Sequence, residues 1–338
     1  MDPALPLGLA IGMALFAAAL WGSWAVSLKY LGDFPLEGFN LTIFTASLVF
    51  VWMVGFLLDG PALLGNIQDI LATDPIRVAV TLICGFVYVN GIRLSVIVQH
   101  TIGLSLAQPI QSSIILLVGT FVSAFVGGIP EGVSLQRIFI ACLVLIAAVT
   151  SAMLAGLERS RNQNLFIEQA SSGLRITTAD LRRSLKYVLL TSLLVPAYTL
   201  GLSFGLRSST HPQGLAVLPF MALLATGAFF GSMASSGVSL TRRREWQRVF
   251  DASMYYHKFG ILSGLFHHGG NIVHTFATVQ LSTVISWPLG LTGGLWTQLW
   301  GLMYGEFKGA SRKAYGALIL AICLYLIGAM LIANTLYR

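Results

Sequence analysis

Four polar residues interrupt an apolar stretch in the second half of the chain. His267, Asn271 and His274 are spaced so that they share one face of an α-helix, while His268 is rotated from them by about 100°. Such groups are costly in an apolar helix unless they meet water, one another or a ligand, although a packing role is the alternative. Histidine also changes charge near neutral pH. We predict that Asn271 binds substrate. The three histidines are candidates for carrying a proton whose movement is coupled to that of the substrate.

A second apolar stretch, in the first half, carries Asn90 and Arg93 about one turn apart. If Arg93 faces a cavity, its guanidinium group suits hydroxyl or carboxylate groups through paired hydrogen bonds. If its helix ends nearby, the side chain would instead reach the lipid headgroups. The sequence leaves both readings of Arg93 open. We include both residues among the predicted substrate-binding positions.

Each polar stretch is followed by an apolar stretch with a proline near its start, Pro109 or Pro288. Proline has no backbone N–H, so a carbonyl one turn back loses its hydrogen bond and the helix can break there. In transporters, helices that break at matching positions of two sequence repeats indicate a substrate site. An ordinary packing kink is the alternative. Amide and indole groups near these prolines suit a ligand that stacks on a ring and bonds at its edges. The other predicted substrate-binding residues are Trp21, Trp24, Gln108, Gln111, Trp287 and Trp296, where the first two could also be interface anchors.

Residues for an enzyme or a metal centre are sparse. The acidic residues fall in loops or at helix ends, and two histidines seven apart without an acidic or cysteine partner make no sound metal site. Cys84, Cys142 and Cys323 have no paired spacing, so we expect them to pack as small apolar groups. The basic residues lie in loops without interleaved aromatics. We predict no catalytic residue, cofactor, metal or nucleic-acid partner.

The elements that position these residues are predicted to be membrane-spanning helices. Of 338 residues, 56% are hydrophobic and 10% charged, with a mean hydropathy of +0.79, against roughly 25% charged in soluble domains. Helices satisfy the backbone within lipid, and each apolar run is near the ~20 residues needed to cross it. We predict an all-α integral membrane protein with ten spans, at about 6–30, 38–58, 77–99, 103–127, 136–156, 185–206, 215–240, 258–277, 280–303 and 314–336.

A repeated spacing divides the chain into two halves. Gly85 and Pro109 in the first half recur as Gly264 and Pro288 in the second. The glycine and the proline are displaced along the chain by the same interval, so the distance between them is preserved in both copies. This indicates an internal duplication.

Alternate loops collect the basic residues, with 16 of 20 on the side that the positive-inside rule assigns to the cytoplasm. We predict a first five-helix repeat over 1–156, a cytoplasmic linker over 157–184 and a second repeat over 185–338. Five crossings per half make the repeats inverted around a central cavity and place both termini outside.

The run LWGSWAVSLKY, the division into five and five spans by a basic linker, the run ISWPLG and the closing GEFKGAS resemble the drug/metabolite transporter superfamily. Within it, they are most similar to the branch of rhamnose–proton symporters, glucose/ribose uptake porters and ureide permeases. The resemblance covers essentially the whole chain. It implies a secondary transporter with a central cavity between two inverted halves.

We therefore expect a transporter of the plasma membrane, the inner membrane in bacteria, and not an enzyme. It would move a small polar metabolite by alternating access, with a sugar ranked first and a ureide or nucleobase as the alternative. A membrane-embedded enzyme or a channel ranks lower. The expected partners are the substrate, the lipid bilayer and, if transport is a symport, a proton or sodium ion. Facilitated diffusion stays open.

Overall fold

The computed structural model describes residues 5–102, 104–167, 178–208 and 212–335, and within its helices the side chains at 102–110, 113, 160–167 and 178–185 are outside the description. The described residues form fifteen α-helices, one 3-10 helix and one π-helix. No strand occurs among them beyond a single bridge between Leu206 and Leu215. The predicted all-α class is confirmed for this part of the chain.

The helices follow one another with short connections. In chain order they are α1 Leu7–Ser23, α2 Leu36–Asp59, α3 Ala62–Thr73, α4 Pro75–Ile102, α5 Leu104–Val126, α6 Leu135–Ile167, α7 Thr178–Leu194, α8 Ala197–Gly205, α9 Val217–Ser232, α10 Val238–Arg243, α11 Trp246–Phe250, α12 Met254–Leu281, α13 Thr283–Gly290, α14 Gly293–Met303 and α15 Arg312–Asn334. The 3-10 helix Trp24–Tyr30 extends α1, and the π-helix Met233–Gly237 joins α9 to α10.

Seven helical segments of the described chain are long and apolar enough to cross a membrane. They are Leu7–Tyr30, Leu36–Asp59, Pro75–Thr101, Leu135–Arg159, Lys186–Gly205, Val217–Arg243 and Arg312–Asn334. Helix α12 has the length, 28 residues, but its polar side chains reduce its hydropathy. Helices α13 and α14 are each too short because a turn at Leu291 and Thr292 separates them. The chain is compatible with a helical multi-pass membrane protein.

Three predicted boundaries differ from the structure. Helix α6 continues past residue 156 to Ile167, because the stretch 157–167 contains no glycine or proline to end it. The chain is helical again from Thr178, so both ends of the predicted linker are helical, and residues 168–177 lie outside the described chain. Helix α5 runs without interruption past Pro109, so the break predicted there is wrong.

Two glycines allow the central helices to touch backbone to backbone. A β-carbon at Gly85 of α4 would collide with the carbonyl oxygen of Leu224 in α9. A β-carbon at Gly264 of α12 would collide with that of Ile43 in α2. These close approaches bring α4 and α12 toward the middle of the molecule, where both present polar side chains.

An ion cluster joins one end of the helix assembly. Glu306, in the turn after α14, pairs with Lys29 of the 3-10 helix and with Arg159 of α6, the latter at 2.5 Å between Nη1 and Oε2. Burial alone raises the pKa of the Glu306 carboxyl, but the hydrogen bonds and charges of these two cations outweigh burial. The pKa of Glu306 is therefore lowered, and the carboxylate is held ionised.

Candidate functional site

A cavity of about 100 Å³ lies among the central helices, several times the ~10–15 Å³ that one water molecule needs. Both halves of the chain line it, through α1, the 3-10 helix, α4, α5, the α7–α8 junction, α12, α13 and the turn after α13. Its aromatic residues are Trp21, Trp24, Tyr88, Tyr198 and Trp287, and its polar residues are Ser95, Gln99, Gln111, Ser112, His267 and Asn271. None of the described lining residues is Asp, Glu, Lys or Arg.

Four lining side chains form a continuous row of hydrogen bonds. The Trp21 indole Nε1–H donates to Asn271 Oδ1 at 2.9 Å, and Asn271 Nδ2 donates to the Tyr88 hydroxyl at 3.4 Å. The Tyr88 hydroxyl contacts His267 Nε2. The row therefore connects α1, α12 and α4 across the wall of the cavity.

The donors and acceptors of this row determine its direction. An indole nitrogen can only donate, so the Asn271 atom facing Trp21 must be the carbonyl oxygen, and its amide nitrogen must face Tyr88. With its oxygen accepting from Asn271, Tyr88 gives its own hydrogen to His267 Nε2. The indole hydrogen of Trp21, one amide hydrogen of Asn271 and the hydroxyl hydrogen of Tyr88 then each have an acceptor. This assigns His267 the neutral form protonated at Nδ1, an atom with no partner among the described residues.

A second row of hydrogen bonds lies between α4 and α5. Gln99 Nε2 donates to Ser95 Oγ at 3.0 Å, and Ser95 Oγ donates to Gln111 Oε1 at 2.6 Å. The Gln111 amide nitrogen at the end of the row has no hydrogen-bond partner within the described chain. Both rows therefore end on a buried N–H group that has no acceptor among the described residues.

Aromatic rings pack against one another in the lining of the cavity. The Trp21 ring lies 6.0 Å from Tyr198, 6.2 Å from Trp287 and 4.8 Å from His274, measured between centroids. Trp24 meets His267 edge-on at 5.2 Å. These faces would stack on the C–H or ring surfaces of a bound molecule.

The α12–α13 junction is tightly packed beside these rings. Thr278 and Ser286 share a hydrogen bond of 2.7 Å, and His274 Nδ1 lies 3.2 Å from the Tyr198 hydroxyl. A β-carbon at Gly290 would collide with the ring of Trp21. His274 is fully buried here and does not line the cavity.

Of the three histidines predicted as proton carriers, the cavity includes only His267 among its described lining residues. His268 is fully buried, with its ring edge-on to Phe44, and neither ring nitrogen has a partner among the described residues. His267 is therefore the histidine that a ligand could reach.

Arg93 does not line the cavity, and its guanidinium group pairs with a carboxylate. Its Nε donates to Glu37 Oε2 at 2.6 Å, its Nη2 pairs with Glu37 Oε1, and Ser236 donates to the same carboxylate at 2.7 Å. Glu37 is buried although it occupies the first turn of α2. The predicted ligand-binding arginine instead joins α4, α2 and the π-helix away from the cavity.

Two further predicted residues lie elsewhere. Asn90 is partly exposed and donates to Phe86 O of its own helix at 2.7 Å, and the Trp296 side chain is also exposed. The Gln108 side chain is outside the described residues. The predicted residues that the structure does bring together at the cavity are Trp21, Trp24, Gln111, His267, Asn271 and Trp287.

Sequence reasoning missed Tyr88, Ser95, Gln99 and Tyr198 at the cavity. A signal was present for three of them. Tyr88, Ser95 and Gln99 are spaced seven and four residues apart, which places them on one helical face with Ile92, whereas Asn90 points to another. Selecting by helical face would have found them.

No group of three His, Cys, Asp or Glu side chains that could hold a metal ion occurs among the described residues. A scan of the chain against protein-family models finds no match, and a search of curated proteins finds none either.

Proposed function

We propose that the chain is a secondary transporter that carries a small uncharged polar metabolite across a membrane by alternating access. The observation that carries this proposal is the cavity, which combines five aromatic side chains with amide, hydroxyl and imidazole groups and has no charged residue among its described lining. Such a lining suits a ligand with apolar faces and polar edges. Both halves of the chain line the cavity, so a relative motion of the halves would change the side of the membrane from which the cavity is accessible.

Helix boundaries support two repeats. The offset that relates Gly85 to Gly264 also relates the first residue of α4 to that of α12. Each of these two glycines packs its helix against the backbone of the other half. An inverted arrangement around the cavity would place the site where the two repeats meet.

We propose ten membrane spans, in which consecutive short helices are paired into single spans. We assign them to α1 with the 3-10 helix, α2, α4, α5, α6, α7 with α8, α9 with α10, α12, α13 with α14, and α15. Helices α3 and α11 lie between spans. With the basic loops facing the cytoplasm, both termini would lie outside the plasma membrane.

Two substrate classes fit the cavity. A sugar would stack its C–H face on the indoles, while a ureide or nucleobase would stack its ring and present carbonyl oxygens to the N–H groups. The resemblance to the drug/metabolite transporter superfamily favours a sugar first and a ureide or nucleobase as the alternative. For a symport, His267 is the histidine placed to couple a proton to the ligand.

Reconstituted protein tests the proposal. A thermal-shift screen against sugars, polyols, ureides and nucleobases should yield a compound that stabilises the purified chain by mass action. That compound, radiolabelled, should exchange across proteoliposomes in counterflow. Chemical conversion of the compound without counterflow would show an enzyme instead, and conductance without saturation would show a channel.

A further inference from the structure

A long groove follows the outer surface of α2 and α12. It has a volume of about 790 Å³ and an almost entirely apolar surface, with Thr45 on one wall and Ile261 and Leu265 on the other. Along α2 it extends from Gly38 to Met53, a distance of about 22 Å at 1.5 Å per residue. This exceeds the ~15 Å depth of one leaflet of the hydrocarbon core.

Exposed apolar side chains surround one end of the groove. Phe250 and Met254 line it and are 74% and 71% exposed. Trp246 also lines this end, and its indole Nε1–H donates to Thr241 Oγ1 at 2.8 Å. This bond ties the mouth of the groove to the end of α10.

Basic residues begin immediately after Thr241. Arg242, Arg243 and Arg244 are exposed, and none of them has a carboxylate partner among the described residues. Arg244 closes α10 in a left-handed conformation, φ 59°, which turns the chain toward Trp246. The chain therefore places three exposed arginines between Thr241 and Trp246, the two residues that are hydrogen-bonded at this end of the groove.

We propose that this groove binds one anionic phospholipid, with an acyl chain along α2 and α12 and the headgroup phosphate among Arg242, Arg243 and Arg244. Guanidinium groups bind phosphate oxygens in pairs, and basic clusters next to membrane helices favour anionic lipids. The apolar length of the groove offers little to the backbone of a peptide, which needs hydrogen-bond partners in lipid. In a symmetric dimer across this groove, the arginine clusters of two copies would approach and repel each other.

Native mass spectrometry of the detergent-solubilised full chain tests the site. We expect a one-to-one adduct with palmitoyl-oleoyl phosphatidylglycerol at about tenfold lower lipid concentration than with the phosphatidylcholine of the same chains. Replacing the three arginines together, Arg242→Gln, Arg243→Gln and Arg244→Gln, should abolish this preference. Thr45→Trp, an exposed position within the groove, should reduce binding of both lipids.

The matched control removes the same charge elsewhere. Lys308→Gln, Arg312→Gln and Lys313→Gln, made together, lie on the same proposed side of the membrane but away from the groove, and they should keep the preference for phosphatidylglycerol. An equal loss in this control would show a general charge effect and overturn the proposal. Equal binding of both lipids by the native chain would do the same. A dimer that Thr45→Trp dissociates would assign the groove to a second copy of the chain.

Discussion

Tyr88 and His267 stack on each other across the centre of the molecule, with ring centroids 5.8 Å apart and planes 13° from parallel. They are 179 residues apart in the chain, the offset that relates the two halves. A twofold rotation moves a residue onto its equivalent, so equivalent residues touch only beside the rotation axis. The pair therefore marks where the axis of the proposed inverted repeat would pass, at the wall of the cavity.

Tyr88→Phe should destabilise the protein by about 1–3 kcal/mol, because Asn271 Nδ2 and His267 Nε2 both lose their buried partner. Unfolding in detergent, followed by circular dichroism, measures the loss. Tyr255→Phe is the control, since Tyr255 is 46% exposed. Equal stability of the two variants would mean that the hydrogen-bonded row contributes nothing.

Equivalent loops should face opposite sides of the membrane. Glu131 and Lys308 occupy matching places in the runs GGIPEGVS and YGEFKGAS, and both are exposed. In a chain with Cys84, Cys142 and Cys323 replaced by serine, Glu131→Cys should react with an impermeant maleimide added to whole cells, and Lys308→Cys should not. Labelling of both from outside would rule out the inverted arrangement.

Arg93→Met should destabilise the chain by about 3–5 kcal/mol, because it leaves the buried Glu37 carboxylate without its charge partner. The double variant Glu37→Gln with Arg93→Met should be less destabilised than the single one. Arg248→Met breaks an ion pair with Glu245 at the protein surface, and it should lower the free energy of unfolding by about 1 kcal/mol or less. Denaturant titration compares them, and a double variant no better than the single would argue against a buried charge effect.

Asn271→Ala should weaken ligand binding by about 1–3 kcal/mol, because it removes the acceptor of Trp21 and the donor to Tyr88 at the cavity wall. Asn90→Ala should leave the affinity unchanged, since Asn90 bonds to its own helix outside the cavity. Thermal-shift titration with a stabilising compound from the screen measures both affinities. A larger loss of affinity in Asn90→Ala than in Asn271→Ala would indicate that the ligand binds on the other face of α4.

Acid should weaken the cluster around Glu306. Since the pKa of this carboxyl is lowered from its ordinary value of 4.5, its stabilising effect is complete above pH 4.5 and is lost as the pH falls through the lowered value. The apparent Tm of the native chain should therefore fall more between pH 6 and about 3 than that of Glu306→Gln. Parallel curves for the two proteins would contradict an energetic role for the pairs with Lys29 and Arg159.

Sequence patterns predicted the helices better than the contacts between them. Apolar runs of span length and the spacing of His267 and Asn271 depend on local periodicity, so the helical class and one wall of the cavity could be predicted. The partner of Arg93 could not, because Glu37 lies 56 residues away and its burial depends on how α2 packs. The end of α6 was missed since a polar sequence can continue a helix when no residue breaks it.

The two helix junctions around the cavity are chemically unequal. Gln99 and Gln111 line the cavity near the α4–α5 junction, whereas their equivalents in the second half, Thr278 and Gly290, pack against Ser286 and the ring of Trp21. A transporter that exchanges the shapes of its halves would not exchange these side chains. The state open to one side of the membrane and the state open to the other would then differ in free energy. Without ligand, the carrier would populate mainly the more stable of the two. Half-saturation for entry and for exit would then occur at different concentrations, although the gradient alone sets the direction of net flow.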